Sequence, residues 1–175
     1  NMQSNVENAI QAFSQGQPVM VFDSDFRECE TDLLWPATAA SPAVMRRLRQ
    51  DCGGLLFLAV GDEIGSLFGL PWLQDIHTHP ALVAENPVLG RLITDDLQYD
   101  SRSAFTLSLN HRETYTGITD RDRALTTRRF GELAGEMMVK SYSNIFRFPY
   151  TIIRPSALYG ERCVSRRVGQ IFIEN

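Results

Sequence analysis

The spacing of apolar residues along this chain predicts a series of helices. Near the start every third or fourth position is apolar, Ser4 or Asn5 is suited to cap such a helix, and Gly16 is placed to end it. The apolar positions of this helix are Val6, Ala9, Ile10 and Phe13. A shorter helix is predicted at 62–68, where it follows a continuous apolar run.

Two further helices have clear start signals. Ser41, followed by a proline, supplies the N-cap of a helix at 42–49, which a pair of glycines then stops. Thr119 is placed to cap a long helix that begins near Asp120. Asp122 falls in the first turn of that helix, where a negative charge interacts favourably with the helix dipole.

Short apolar runs and alternating patterns predict strands between these helices. A continuous apolar run is typical of a strand covered on both faces, whereas alternation marks a half-buried strand. The candidate strands are 18–22, 33–37, 55–60, 105–109, 115–118 and 150–154. The segment 115–118 is a candidate partner of 105–109, from which a turn at 110–112 separates it. Helices mixed with strands predict a compact α+β domain.

Composition narrows the possible functions. With 17 basic and 21 acidic residues the net charge is −4, which argues against nucleic acid as the main partner, because phosphate binding needs a concentrated basic face. No apolar run reaches the roughly 18 residues of a membrane span, and the start lacks a signal-peptide pattern. Three cysteines are scattered without metal-ligand or redox spacing. We therefore expect a cytoplasmic protein with free thiols and no membrane partner.

An acidic cluster follows directly after the first candidate strand. Like charges repel, so such a cluster is most stable when a cation or a polyhydroxylated ligand shares it. Oxygen donors suit a hard metal such as Mg²⁺ or Mn²⁺. The alternative is a solvated acidic turn. The ten residues of the cluster hold five acids and one arginine, namely Asp23, Asp25, Glu28, Glu30, Asp32 and Arg27.

The second candidate site is the sequence TGITDRDR at 116–123. A glycine turn there delivers Thr119, backbone N–H groups and two arginines to the start of a helix, which is an arrangement able to bind phosphate. The alternative is an ordinary capped helix with solvated arginines. Combined with a loop that binds a hard metal, the segment indicates a substrate with hydroxyl and carbonyl oxygens at one end and phosphate at the other, such as a sugar phosphate.

These motifs resemble those of 3,4-dihydroxy-2-butanone 4-phosphate synthase, especially its archaeal branch. The matching stretches are DSDFRECETD at 23–32, GGLL at 53–56 and SAFTLSLNHRETYTGITDRDR at 103–123, and the likeness covers about residues 5–132. The resemblance implies a metal-dependent lyase of riboflavin biosynthesis that converts D-ribulose 5-phosphate into the four-carbon phosphate and formate. It also implies Mg²⁺ or Mn²⁺ as cofactor, a compact α+β fold and a homodimer.

Residue by residue, the resemblance implies roles for individual side chains. Glu28 would bind the metal, Arg27 and Glu28 would contact the substrate, and Asp32 would bond to sugar hydroxyls. The implied catalytic residues are Glu28, Glu30 and Asp32. The implied substrate-binding residues are Arg27, Glu28, Asp32, Thr116, Asp122, Arg123 and Arg167. The implied metal ligands are Glu28 and Gln170.

The chain departs from the family pattern at three positions. Thr151 stands nearest to the position of a family histidine, Gln170 stands where a second, metal-binding histidine is expected, and Phe57 replaces a cysteine. Glutamine can offer an oxygen to magnesium but cannot carry a proton as imidazole does. The alternative hypothesis is therefore an inactive relative that retains sugar-phosphate or metal binding, or has only a structural role.

From about residue 133 onward the sequence resembles the extended short-chain dehydrogenase/reductases, the nucleotide-sugar epimerases. The matching stretch is LAGEMMVKSYSNIFRFPYTIIRPSALYG at 133–160. In that register Arg128 and Glu132 occupy the catalytic tyrosine and lysine positions, and no dinucleotide fingerprint lies upstream, which argues against redox chemistry on NAD. We predict one domain over 1–175, in which an epimerase-like tail at 133–175 packs on or completes a synthase-like body at 5–132.

Overall fold

The computed structural model describes residues 2–93 and 96–147, which form a mixed α+β structure, as predicted. The helices are α1 Met2–Ser14, α2 Pro42–Asp51, α3 Asp62–Phe68, α4 Leu73–His77, α5 Pro80–Glu85 and α6 Asp120–Phe146. The strands are β1 Val19–Phe22 and β2 Thr31–Leu34, and short 3₁₀ turns lie at Ala37–Ala39 and Leu89–Arg91. Among the described residues, no helix is long and apolar enough to cross a membrane.

Strands β1 and β2 form an antiparallel hairpin whose connection is the acidic segment. In the register of this hairpin, Val19 lies opposite Leu34 and Phe22 lies opposite Thr31. Asp32, one of the predicted site residues, therefore belongs to β2 and lies opposite Val21. The two strands hold both ends of the acidic segment close together, because a hairpin closes the loop that joins its strands.

The two helix caps predicted at Ser41 and Thr119 are confirmed by hydrogen bonds to backbone groups three residues further along the chain. The Ser41 hydroxyl accepts the Val44 N–H at 3.2 Å at the start of α2. The Thr119 hydroxyl accepts the Asp122 N–H at 3.1 Å at the start of α6. These bonds satisfy N–H groups that have no partner inside the helix.

Helix α1 begins earlier than the sequence predicted. It starts at Met2, so the expected cap at Ser4 or Asn5 is wrong, and both residues lie within the helix. Gly16 follows the helix with a left-handed φ of 77°, as expected of a glycine that ends a helix. The short helix predicted at 62–68 is confirmed as α3.

Three predicted strands are absent from the described residues. The segments 55–60, 105–109 and 115–118 are irregular, although their apolar patterns favour strands. A strand is stabilised by cross-strand pairs, so an apolar pattern without a neighbouring ladder does not form one. The Phe105 carbonyl instead accepts the Leu73 N–H at 2.9 Å. The predicted strand at 150–154 lies outside the described residues.

The small buried core lies where α2 and α6 meet. Ala40, Met45 and Ala124 form its cluster, against which Leu48 packs. Arg49 of α2 pairs with Asp120 of α6 at 3.0 Å. Their contact fixes the start of α6, which carries the second candidate site.

Helix α6 receives further contacts along its first turns. The ring of Phe130 stacks on that of Phe68 in α3, with centroids 4.6 Å apart. A Cβ built at Gly131 would lie 3.0 Å from the Cβ of Ala37, so a small residue is needed there. By its internal contacts the chain divides into two units, Asn1–Met138 and Val139–Asn175. The second is described only at 139–147, so the predicted single domain stays a prediction.

Candidate active site

The acidic segment between β1 and β2 is closed by one of its own carboxylates. Asp23 accepts the backbone N–H of Glu28 at 2.9 Å, that of Glu30 at 3.1 Å and that of Ser24. The Asp23 N–H donates to the Glu30 carbonyl at 3.2 Å, which extends the hairpin by one further bond. We call residues 23–30 the acidic loop. Its backbone is thus folded around Asp23.

Asp23 is therefore the structural member of the acidic cluster. The hydrogen bond from the Ser24 N–H, aided by those from Glu28 and Glu30 and by the charge of Arg27, lowers the pKa of Asp23 below its ordinary value. The turn also holds Cys29 at a left-handed φ of 57°, a conformation that non-glycine residues adopt only occasionally. The sequence alone did not distinguish Asp23 from the other four acids.

The three predicted catalytic carboxylates surround this closed turn. Glu28 and Glu30 lie in the acidic loop and are exposed, and Asp32 is exposed on β2. Within residues 2–93 and 96–147, none of these three carboxylates forms a hydrogen bond or an ion pair. Their oxygens are therefore accessible to a ligand.

Arg27, the arginine of the acidic loop, is held by a distant segment. Its Nη2 donates to both carboxylate oxygens of Asp100, at 3.0 and 2.9 Å. The neighbouring Tyr99 ring lies 5.8 Å from the guanidinium carbon. The hydrogen bond to Asp100, together with the surrounding negative charges, raises the pKa of Arg27 above its ordinary value.

The second candidate site is organised by Asp122. Its carboxylate accepts the backbone N–H of Tyr115 at 3.3 Å, of Thr116 at 3.2 Å and of Gly117 at 3.1 Å. Burial alone would raise the pKa of Asp122, but these three bonds and the one with Thr119 outweigh it and lower that pKa below its ordinary value. Asp122 is buried, with 8% of its surface exposed.

This arrangement changes the expected source of phosphate donors. The backbone N–H groups at 115–117 are occupied by Asp122, so in this conformation they are not free to bind a phosphate. Gly117 has a left-handed φ of 79°, which allows the tight turn. Asp122 was predicted to bind substrate, and here it holds the loop that carries Thr116.

An open cleft of about 620 Å³ lies beside the start of α6. Such a volume lies within the usual range for small-molecule sites. The cleft is lined by two arginines: Arg121, which belongs to the predicted motif at 116–123, and Arg128, which was not predicted to bind substrate. The predicted Arg123 is not among the lining residues and acts instead on Asp120, whose pKa it helps Arg49 to lower. The polar lining residues are Glu113, Tyr115, Thr119, Arg121, Asp122 and Arg128.

The structure brings some of the predicted residues together but not all of them. Thr116 and Asp122 are in direct contact, as the Thr116 hydroxyl lies 3.4 Å from the Asp122 carboxylate. Among residues 2–93 and 96–147, no hydrogen bond or ion pair joins the acidic loop to the segment 116–123. The predicted Arg167 and Gln170 lie outside the described residues, as does Thr151.

The described residues do not by themselves fit a divalent metal site. Glu28 and Glu30 offer the carboxylate oxygens that Mg²⁺ and Mn²⁺ prefer. Within the described part of the chain, however, no group of three or more histidine, cysteine, aspartate or glutamate side chains could hold an ion. Asp23, the carboxylate around which the acidic loop folds, is already occupied by three backbone N–H groups.

The described residues thus define an α+β protein with accessible carboxylates on one hairpin and a cleft lined by two arginines. The chain matches the family model of 3,4-dihydroxy-2-butanone 4-phosphate synthase over residues 7–152. Because this match spans most of the chain, the protein belongs to the 3,4-dihydroxy-2-butanone 4-phosphate synthase family.

Individual relatives agree with this assignment. The chain is 42% identical over 147 residues to the 3,4-dihydroxy-2-butanone 4-phosphate synthase of Methanothermobacter thermautotrophicus, which covers 82% of this chain and 62% of that protein. It is 37% identical over 169 residues to the synthase of Archaeoglobus fulgidus, covering 94% and 69%. It is 31% identical over 123 residues to the riboflavin biosynthesis protein RibBA of Bacillus subtilis, covering 70% and 26%.

The comparisons extend the likeness to the synthase family beyond its predicted end at residue 132. The family match continues to residue 152, past residue 132, where the sequence alone ended it. The alignment to the Archaeoglobus fulgidus synthase covers 94% of the chain and so extends further still. The chain spans 62% and 69% of the lengths of the two archaeal synthases.

Proposed function

We propose that this protein is a lyase of riboflavin biosynthesis that converts D-ribulose 5-phosphate into 3,4-dihydroxy-2-butanone 4-phosphate and formate. The observation that carries the proposal is the family match over residues 7–152. The relative that is 42% identical bears the name of this synthase, and the Bacillus subtilis relative is named for riboflavin biosynthesis. The five carbons of the substrate are accounted for by the four-carbon phosphate and the one carbon of formate.

Glu28, Glu30 and Asp32 are the proposed catalytic residues. Shortening a ketose chain requires protons to be moved at carbon and oxygen, which is work that an ionised carboxylate within hydrogen-bond reach can do. Asp32 is also proposed to accept hydrogen bonds from the sugar hydroxyls. The exposure of all three side chains around the closed acidic loop supports these roles.

The phosphate end of the substrate is proposed to bind through arginine side chains. Arg27 stands beside the catalytic carboxylates, and Arg121 and Arg128 line the cleft at the start of α6. Guanidinium groups suit phosphate because they present several N–H donors in one plane. The other proposed substrate-binding residues are Thr116, Asp122, Arg123 and Arg167. The contacts of Asp122 support a part for it in shaping the Thr116 turn.

Mg²⁺ or Mn²⁺ is the proposed cofactor, with Glu28 and Gln170 as ligands. The oxygen chemistry of these side chains supports a hard divalent ion. Because the described residues supply no complete site, binding should be measured directly by Mn²⁺ electron paramagnetic resonance. Loss of bound Mn²⁺ in Glu28→Ala, with binding retained in Glu85→Ala, is the expected result. Equal binding by both variants would remove Glu28 from the ligand set.

Formate release tests the proposed reaction. The full chain is incubated with D-ribulose 5-phosphate and Mg²⁺, and formate is measured with formate dehydrogenase. We expect release by the wild type, a decrease of at least about a hundredfold in Glu28→Ala, and no change in Glu85→Ala, an exposed acid on α5. Release that is unaffected by Glu28→Ala would contradict the assignment of Glu28.

The alternative is a binding protein without lyase activity. Thr151 and Gln170 at the positions of family histidines favour this alternative, because neither side chain carries protons as imidazole does. Calorimetry with D-ribulose 5-phosphate and Mn²⁺ distinguishes the two. Binding without formate release would support the alternative, and the absence of both would reject a sugar-phosphate function and leave a structural role.

The tail and the assembly are further parts of the proposal. The segment 133–175 is proposed to complete the core of the domain, and a chain truncated after Glu132 that stays folded and soluble would refute this role. We also propose a homodimer, measured by light scattering, because the β1–β2 hairpin and its loop expose the large apolar side chains of Met20, Phe22 and Phe26. A cytoplasmic location is supported by exposed Cys29, which needs a reducing compartment to stay free.

A further inference from the structure

The guanidinium of Arg27 is held along one edge. Nη2 donates to both oxygens of Asp100, and Nε lies 3.9 Å from an Asp23 oxygen. Within residues 2–93 and 96–147, the remaining nitrogen Nη1 forms no hydrogen bond. The two carboxylates therefore fix the orientation of the planar group and leave one nitrogen able to donate to a ligand.

The segment that carries Asp100 is itself anchored to α4 and the residue before it. The guanidinium of Arg102 lies 4.4 Å from the ring of Trp72 and pairs with Asp75 at 3.5 Å. The Phe105 carbonyl accepts the Leu73 N–H at 2.9 Å. Asp100 thus projects from a backbone that is fixed a few residues further on, which gives the Arg27 contact a stable base.

Without the Asp100 contact, Arg27 would keep only the longer approach of its Nε to Asp23, at 3.9 Å. Its side chain is 42% exposed and that of Asp100 is 54% exposed, so neither is held by burial. An exposed arginine samples many rotamers, and ordering it on ligand binding costs conformational entropy. A partner that restricts those rotamers beforehand lowers that cost.

We propose that Asp100 is a positioning residue that orients Arg27 for an anionic oxygen of the substrate. The inference rests on the proposed function, in which Arg27 contacts the sugar phosphate. It makes a prediction opposite to that of simple electrostatics. Removal of a negative charge beside Arg27 should strengthen binding of an anion, whereas loss of orientation should weaken it.

The test compares KM and kcat for D-ribulose 5-phosphate among variants of the full chain. Asp100→Asn should raise KM about threefold to tenfold while kcat changes less than about twofold. Asp100→Glu should restore most of the affinity. Arg27→Ala should raise KM by at least as much, and adding Asp100→Asn to it should have no further effect. The matched control is Asp51→Asn, which breaks an exposed pair with Arg47 of 2.9 Å on α2.

The kinetic outcomes separate the inference from the function on which it rests. A KM that falls or stays constant in Asp100→Asn, or effects of the two substitutions that multiply in the double variant, would overturn the inference and leave the proposed function standing. If Arg27→Ala leaves KM unchanged, the proposed contact of Arg27 with substrate is wrong, and the inference fails with it.

A second measurement works without activity. Trypsin cleaves after arginine in exposed segments, and it must draw the Arg27 side chain into its own pocket. Cleavage after Arg27, followed by mass spectrometry of the intact protein, should be several times faster in Asp100→Asn than in the wild type and in Asp51→Asn. Equal rates would overturn the inference. Cleavage that is faster in Asp100→Asn, combined with a wild type that releases no formate, would support the contact between Arg27 and Asp100 and reject the proposed reaction.

Discussion

The carboxylate of Asp122 accepts the backbone N–H of Gly117 at 3.1 Å, and this bond closes the turn that precedes α6. Gly117 has a left-handed φ of 79° in this turn. A capping residue, a glycine and a buried acid thus act together within seven positions of the chain.

Replacement of Gly117 by alanine should destabilise the protein. A Cβ at this position would clash with the Asn110 side chain, and the left-handed backbone costs an alanine about 1–2 kcal/mol. Urea unfolding followed by circular dichroism gives the free energy of unfolding. Gly135→Ala is the matched control, since a Cβ there meets open space inside α6 and should stabilise the helix by about 0.5–1 kcal/mol. Equal effects of the two substitutions would contradict the turn geometry.

Loss of the cap at Thr119 should cost about 1 kcal/mol of stability. Its hydroxyl accepts the Asp122 N–H at 3.1 Å, and alanine cannot replace that acceptor. Thr119→Ser keeps the hydroxyl and should lie within a few tenths of a kcal/mol of the wild type. The free energies from urea unfolding decide the point, and a serine variant as unstable as the alanine variant would refute the capping role.

Acid should destabilise the wild type partly through Asp122. Its pKa is lower in the folded protein than its ordinary value of 3.8, because the bonds from the turn outweigh the effect of burial. The ionised carboxylate therefore stabilises the fold fully above about pH 3.8, and this contribution is lost as the pH falls through the lower, folded-state pKa. In Asp122→Asn, the free energy of unfolding should be lower than that of the wild type at neutral pH. It should also fall less as the pH drops below about 3.8. Parallel pH profiles for the two proteins would disprove this.

Truncation of Met45 should show where the core lies. Met45 is 2% exposed in the cluster with Ala124, so Met45→Ala should cost about 2–5 kcal/mol. The same substitution at Met20, which is 74% exposed on β1, should change stability by less than about 0.5 kcal/mol. Thermal or urea unfolding of both variants measures the difference. A similar cost at both positions would mean that the α2 and α6 contact is not the core.

Much of the fold could be predicted wherever the deciding contacts are local. The cap at Ser41 forms with a backbone group three residues away, and α3 agrees with its predicted bounds. The irregular segments 55–60 and 105–109 could not be predicted in the same way, because a strand depends on a partner that its own pattern does not specify. For the candidate site, the crowding of acids at 23–32 was evident from the sequence. Which acid binds the backbone of the loop and which acids stay exposed was not evident.

By itself, the sequence determined the features that depend on neighbouring residues: the capped start of α6, the glycine turns at Gly16 and Gly117, and the accumulation of carboxylates after β1. The local pattern did not single out Asp23 and Asp122, which accept N–H groups one to seven residues away in their own turns. Only the tertiary structure decided that Arg27 pairs with Asp100 and Arg49 with Asp120. The physical reason is separation along the chain. A cap forms within three or four residues, whereas Arg27 and Asp100 are 73 positions apart, and Arg49 and Asp120 are 71. Such pairs exist only once the intervening segments have packed.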